Sequence, residues 1–72
     1  MKRRMAALRG LIGHCVEIRR GADALARGNL LGPLPAEARG RRLWGAAYSD
    51  KGEFRVAAFD PLDDDLAVEL AA

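Results

Sequence analysis

The side chains best suited to covalent or acid–base chemistry are scarce in this sequence. His14 is its one histidine and Cys15 its one cysteine. Adjacent residues on a helix point about 100° apart and rarely meet as a nucleophile and its base. The two residues also supply at most two of the four ligands of a closed zinc site. We therefore predict no confident catalytic residue, no metal site and no cofactor.

The thiol and the acidic run have structural interpretations. Cys15 lies at the centre of an apolar stripe, where a free cysteine usually packs as a small hydrophobe, and His14 lies at the edge of that stripe. Asp63 to Asp65 could hold a hard cation, but consecutive carboxylates are more typical of a solvated turn.

Basic side chains form the strongest candidate binding site. Lysine and arginine bind the phosphates of nucleic acids, and the nearby Trp44 and Tyr48 could stack on bases. The polyanion-binding candidates are Arg39, Arg41 and Arg42, together with Lys2, Arg3 and Arg4. The alternative is that these side chains pair with acidic residues of the same chain.

The charge is distributed unevenly. Residues 1–42 hold ten Lys/Arg against three Asp/Glu, a net +7, whereas residues 43–72 hold two against seven, a net −5. This bipolar pattern favours an oppositely charged partner on each side, unless the two halves neutralise each other on folding.

The size of the chain favours association. A domain of 72 residues has a small core and marginal stability, and one cysteine allows no internal disulfide. A lone thiol fits a reducing compartment, and no apolar run approaches the length of a membrane span. We therefore predict a cytoplasmic protein that acts with a protein partner or with itself, with no small-molecule substrate.

The elements that must position these residues begin with a helix. Apolar residues from Met5 to Arg27 recur with helical spacing, which predicts an amphipathic helix over residues 1–28, broken near Gly21 if packing does not offset its three glycines. Gly28-Asn29 is a helix-stop signal, and Gly32, Pro33 and Pro35 predict an irregular connector over residues 29–41.

A β-hairpin is predicted over residues 42–59. Two strand-like runs, 43–48 and 53–59, flank Ser49-Asp50-Lys51-Gly52, where Gly52 could take the left-handed position of a type I turn with a bulge. The apolar residues of helix and hairpin are the interface candidates: Leu8, Leu11, Ile18, Leu25, Trp44, Tyr48, Phe54 and Phe59.

Residues 60–72 allow two interpretations. Asp60 and Pro61 could begin a short helix, whereas Leu66, Val68 and Leu70 alternate as a third strand. The sequence thus predicts a single α+β domain, a helix packed on a hairpin or a three-stranded meander, with an α-β-β-α arrangement as the alternative.

Part of the chain resembles toxins of the RelE/ParE superfamily. The matching stretches are LGPL at residues 31–34, GRRLW at 40–44, FRVAAFDP at 54–61 and LAVEL at 66–70. The resemblance implies a helical region leading into an antiparallel meander, and it places Arg55, with Arg41 or Arg42 as a looser match, at positions that serve messenger cleavage in ribosome-dependent members.

The departures from that family suggest lost chemistry. The first strand of the family and its C-terminal stretch with a His or Tyr have no counterpart here, and RNA cleavage needs proton transfer. The leading functional hypothesis is therefore a non-enzymatic protein–protein interaction module, acting as an oligomer, subunit or inhibitor. The alternatives are a messenger-cleaving toxin and a nucleic-acid-binding protein.

Overall fold

A single antiparallel sheet follows one short helix in the computed structural model, which describes residues 2–71 and the side chains of residues 4–71. The elements are α1 (Lys2–Gly10), β1 (Cys15–Arg20), β2 (Asp23–Ala38), β3 (Arg41–Asp50), β4 (Glu53–Phe59) and β5 (Leu66–Leu70). The strand order is β4-β3-β2-β1-β5. The α+β prediction is therefore wrong, because the second half of the predicted helix and most of the predicted connector are strands of one antiparallel sheet.

The helix ends much earlier than its apolar spacing predicts. It stops at Gly10, and a turn follows in which Gly13 has a φ of 88°, a conformation that favours glycine. The Gly13 N–H donates to the Leu30 carbonyl, which ties this turn to β2. The glycines that weaken a helix are thus the points at which this one ends.

Residues 15–28 form a hairpin instead of a helix. Val16 and Ile18 are buried while the residues between and around them are more exposed, the period of two that defines a strand. Gly21, with a φ of 60°, lies in the two-residue turn that joins β1 to β2. Cys15 is exposed, so the prediction that it packs in the core is wrong.

The predicted connector is part of the longest strand. β2 runs through Gly32, Pro33 and Pro35, and its pairing with β3 shifts register between Leu30 and Gly32 and again between Pro33 and Glu37. A sheet tolerates proline at irregularities of this kind, because the backbone there makes no regular ladder hydrogen bond that proline, which lacks an N–H, would have to donate.

The hairpin predicted over residues 42–59 is confirmed. β3 and β4 pair without a register shift from Trp44 opposite Phe59 to Asp50 opposite Glu53. The turn differs from the prediction, since Lys51 and Gly52 both have positive φ, 52° and 80°, as in a two-residue type I′ loop. No bulge is needed.

The last segment is a strand, so the α-β-β-α alternative is wrong. β5 pairs antiparallel with β1, which places it at the edge of the sheet opposite β4. Residues 60–65 turn the chain from one edge to the other, with hydrogen bonds from Asp63 N–H to the Asp60 carbonyl and from Leu66 N–H to the Asp63 carbonyl.

One apolar cluster lies between the curved sheet and the helix. Its buried members are Leu8, Val16, Ile18, Leu30, Trp44, Ala46, Phe59 and Leu66, and Met5, Leu11, Ala26 and Val68 pack against it. Among residues 2–71, no helix has the length and apolar character needed to cross a membrane.

Candidate interaction surface

The sheet has two open edges. β4 pairs only with β3, and β5 pairs only with β1, so each has one side without a strand neighbour in the described part of the chain. An open edge presents unpaired N–H and C=O groups that can accept a strand from another chain. The two edges are therefore the first place to search for a binding surface.

The direction of the edge groups follows from the pairing. Asp50 and Glu53 close a two-residue loop, so the backbone N–H and C=O groups of the odd-numbered β4 residues bond to β3. The backbone groups of the even-numbered residues, Phe54 and Val56, therefore face the open side. On β5, Ala71 N–H donates to the Cys15 carbonyl at 2.9 Å. The alternation then turns Val68 and Leu70 toward the other open side.

Large apolar side chains are exposed along these same strands. Phe54 is 75% exposed and Val56 43% on β4, and Leu70 is 63% exposed on β5. Edge strands are usually protected by charges, prolines or bulges, because an apolar edge invites pairing. Here three residues whose backbone groups face the open sides, Phe54, Val56 and Leu70, also have exposed side chains.

One end of the β5 edge is already occupied. The Arg4 guanidinium donates to the carbonyls of Leu66 at 2.7 Å and Asp63 at 2.9 Å. Because Leu66 N–H bonds to the Asp63 carbonyl, both backbone groups of Leu66 have partners. The open part of the β5 edge is therefore Val68 to Leu70.

The predicted interface residues divide into two groups. The buried residues Leu8, Ile18, Trp44 and Phe59 belong to the core, Leu11 packs against that core, and Tyr48 is half-buried. Of the eight, Leu25 and Phe54 are exposed, and of these two only Phe54 lies on an edge strand. Several of the other six were predicted as interface residues from their helical spacing, and the same apolar spacing also marks residues of the core.

Arg41 and Arg42, two of the predicted polyanion-binding residues, bond to other residues of the chain. Arg41 contacts Asp60 at 3.0 Å, and Arg42 contacts the Leu34 carbonyl at 3.0 Å and Glu37 at 3.5 Å. Arg39 is exposed in the turn between β2 and β3. The side chains of Lys2 and Arg3 lie outside the described residues.

The acidic turn between the two edges collects arginines from the first half of the chain. Arg4, Arg20 and Arg41 reach carboxylates at Asp64, Asp63 and Asp60, at 4.0, 3.2 and 3.0 Å. Solvent-exposed pairs of this kind each contribute little to stability. The opposite charges of the two halves meet here within the fold, which reduces the positive charge available to a nucleic acid.

The fold alters the ionisation of Asp60. The Leu62 N–H donates to its carboxylate at 2.9 Å, and Arg41 adds a second hydrogen bond. These contacts, led by the Leu62 N–H, stabilise the charged form and hold the Asp60 pKa below its ordinary value of 3.8. The carboxylate anchors the turn that begins at Asp60.

The other chemistry candidates remain apart. Arg55 lies on β4, half-exposed, and contacts Glu53 at 2.9 Å and Asp50 at 3.4 Å. In the part of the chain that the structure describes, no three His, Cys, Asp or Glu residues are arranged to hold a metal ion.

A cavity of about 300 Å³ lies between the ends of the two edge strands. Apolar side chains such as Ile18, Leu25 and Phe59 line it, with Arg20, Asp60 and Asp63 at its polar side. Those charges pair with each other or with Arg41.

The sequence interpretation missed Val56, Val68 and Leu70 as candidate binding residues. Their alternation with polar residues was visible, but it could not say which strands would lie at the edges. A strand's partner depends on long-range pairing, such as β5 with β1, that no local pattern encodes.

Comparison with known proteins identifies no relative. A scan against models of protein families, a search of curated proteins and a search of solved structures each found no match. Nothing in these comparisons tests the resemblance to RelE/ParE toxins. The description as toxin-like gains no support from the fold, because β1 and β2 replace the helical region that the resemblance implies.

Proposed function

We propose that this chain is a non-enzymatic protein–protein interaction module that acts as an oligomer of itself. The observation that carries the proposal is the exposure of Phe54, Val56 and Leu70 on the two open edges of the sheet. Strand addition at an open edge is a common mode of recognition, in which backbone hydrogen bonds give affinity and side chains give specificity.

The energetics of the edges support this proposal. Full burial of a Val, Leu or Phe side chain is worth about 1.5–3 kcal/mol. A strand added beside the edge covers one flank of Phe54, Val56 and Leu70, so each would contribute a fraction of that value, besides the hydrogen bonds of a new ladder. Among the residues whose side chains the structure describes, eight hydrophobic ones form the buried core, so even a partial gain at the edges matters for so small a core.

Binding of nucleic acid has less support. Arg4, Arg20, Arg41 and Arg42 all have acidic or carbonyl partners within the chain. A phosphate backbone would have to displace these contacts before it could gain from releasing its counterions.

The proposal is tested by the solution mass of the protein and two variants, measured by light scattering after size exclusion. The wild type should be larger than 7.8 kDa, the mass of one chain. Phe54→Lys should lower the mass, because it places a charge on the open edge of β4.

Leu31→Lys is the matched control. Leu31 is 45% exposed but lies on β2 at the register shift opposite β3, and β2 is not an edge strand of the sheet. This variant should keep the wild-type mass. A monomeric wild type, or a Phe54→Lys variant that assembles as the wild type does, would contradict the proposal.

A further inference from the structure

The edges of the sheet define how two copies would pair. Resting on the proposed self-association, we infer that β4 of one copy pairs antiparallel with β5 of a second copy, with Val56 opposite Val68. The contact is head-to-tail, since each copy uses a different edge toward each neighbour.

The hydrogen-bonding groups agree with this register. Phe54 and Val56 face the open side of β4, and Val68 and Leu70 face the open side of β5. With Val56 opposite Val68, Phe54 lies opposite Leu70, so the outward-facing residues of both strands meet. Because Arg4 occupies the Leu66 carbonyl, the new ladder ends before Leu66.

Charge selects this register over its neighbours. It places Arg55 directly opposite Glu69, and oppositely charged residues across a strand pair attract. Arg55 is half-exposed and already contacts Glu53 and Asp50 within one copy, so Glu69 would join an existing charge cluster. Shifting the strands by two residues to preserve the hydrogen bonding places Glu53 opposite Glu69, or Ala57 opposite Glu69. The first is a like-charge pair, and the second leaves Glu69 without a cation.

The apolar residues fit the same pairing. In the sheet of one copy, Leu70 lies opposite Val16 and Val68 opposite Ile18, and both β1 residues are fully or almost fully buried. A strand added beside β5 places Phe54 next to Leu70 and Val56 next to Val68. The exposed side chains of β4 would thus extend the core row of the next copy by one strand.

Pairing β4 with a second β4 is a poorer solution. Centred on Arg55, it places two arginines opposite each other, and centred on Val56 it places Phe54 opposite Ala58. Either arrangement leaves Leu70 uncovered at the other edge. A contact between two different edges is the kind that produces rings or fibres, because every copy keeps one free edge of each type.

A mixing experiment tests the head-to-tail contact, with Phe54→Lys blocking the β4 edge and Leu70→Lys blocking the β5 edge. Each variant alone should be a monomer. Their equimolar mixture should give a 1:1 dimer, because Phe54→Lys keeps an unblocked β5 edge and Leu70→Lys keeps an unblocked β4 edge.

The outcomes separate this inference from the proposed function. If the Leu70→Lys variant alone keeps the wild-type mass, or if the mixture stays monomeric while the wild type assembles, the head-to-tail contact is wrong and self-association stands. If the wild type is itself a monomer, both are wrong.

A charge exchange tests the register. Arg55→Glu or Glu69→Arg alone should weaken assembly about 3- to 10-fold, since each creates a like-charge pair. The double variant, which restores an opposite pair in the reverse sense, should recover most of the loss. A double variant that assembles no better than the weaker single variant would overturn the register of Val56 opposite Val68.

Discussion

At the scale of single residues, Asp60 links the edge strand β4 to the acidic turn. Its carboxylate accepts the Leu62 N–H and contacts Arg41. Because these contacts lower its pKa in the folded state, ionised Asp60 contributes stability at pH values above 3.8. That contribution is lost as the pH falls through the lowered pKa of the folded state.

We predict that an NMR titration of the Asp60 carboxyl gives a midpoint below 3.8. Arg41→Gln should raise this midpoint only in part, because the Leu62 N–H makes the larger contribution. An Asp60→Asn variant should lose less stability than the wild type as the pH falls below 3.8. A midpoint that Arg41→Gln leaves unchanged would show that the ion pair does not form in solution.

At the scale of elements, the close approach of the paired strands β2 and β3 depends on Gly28. A Cβ at this position would strike the Ala47 carbonyl oxygen, and it would lie 2.7 Å from the Ala47 carbonyl carbon. These are backbone atoms of β3 and cannot turn aside as a flexible side chain can. The close approach of the two strands is therefore open only to glycine.

Gly28→Ala should lower the free energy of unfolding by about 1–3 kcal/mol or more, since overpacking here forces the backbone to move. Gly10→Ala is the matched control, because a Cβ at that helix end meets nothing within 4 Å. Its effect should stay within about 1 kcal/mol and favour the folded state. Equal destabilisation in urea unfolding by both substitutions would contradict this account.

The element scale is also where the sequence was most and least informative. The hairpin of β3 and β4 was predictable because its turn residues and alternation are local signals. Residues 15–27 were not, since the spacing of Leu8, Leu11, Cys15 and Ile18 fits a helix as well as a helix followed by a strand. The helix ends at Gly10, the first of its glycines. Val16 and Ile18 then lie in a strand because β1 pairs with β2 on one side and with β5 on the other.

At the scale of the whole molecule, stability and association are coupled. A partner that binds only the folded chain stabilises it by mass action, so an oligomer unfolds at a temperature that depends on its concentration. The thermal midpoint of the wild type should therefore rise with protein concentration. For the Phe54→Lys variant the midpoint should be independent of concentration, and a wild-type midpoint with the same independence would contradict the coupling.

Hydrogen exchange at the sheet edges tests the central claim most directly. The N–H groups of Val56 and Val68 face open sides in one copy and lie in a ladder when two copies pair. In the assembled wild type both should exchange slowly, near the rate of the buried Ala46, and should exchange fast on dilution to the monomer. Fast exchange of both at every concentration would show that the edges remain open and would contradict the account.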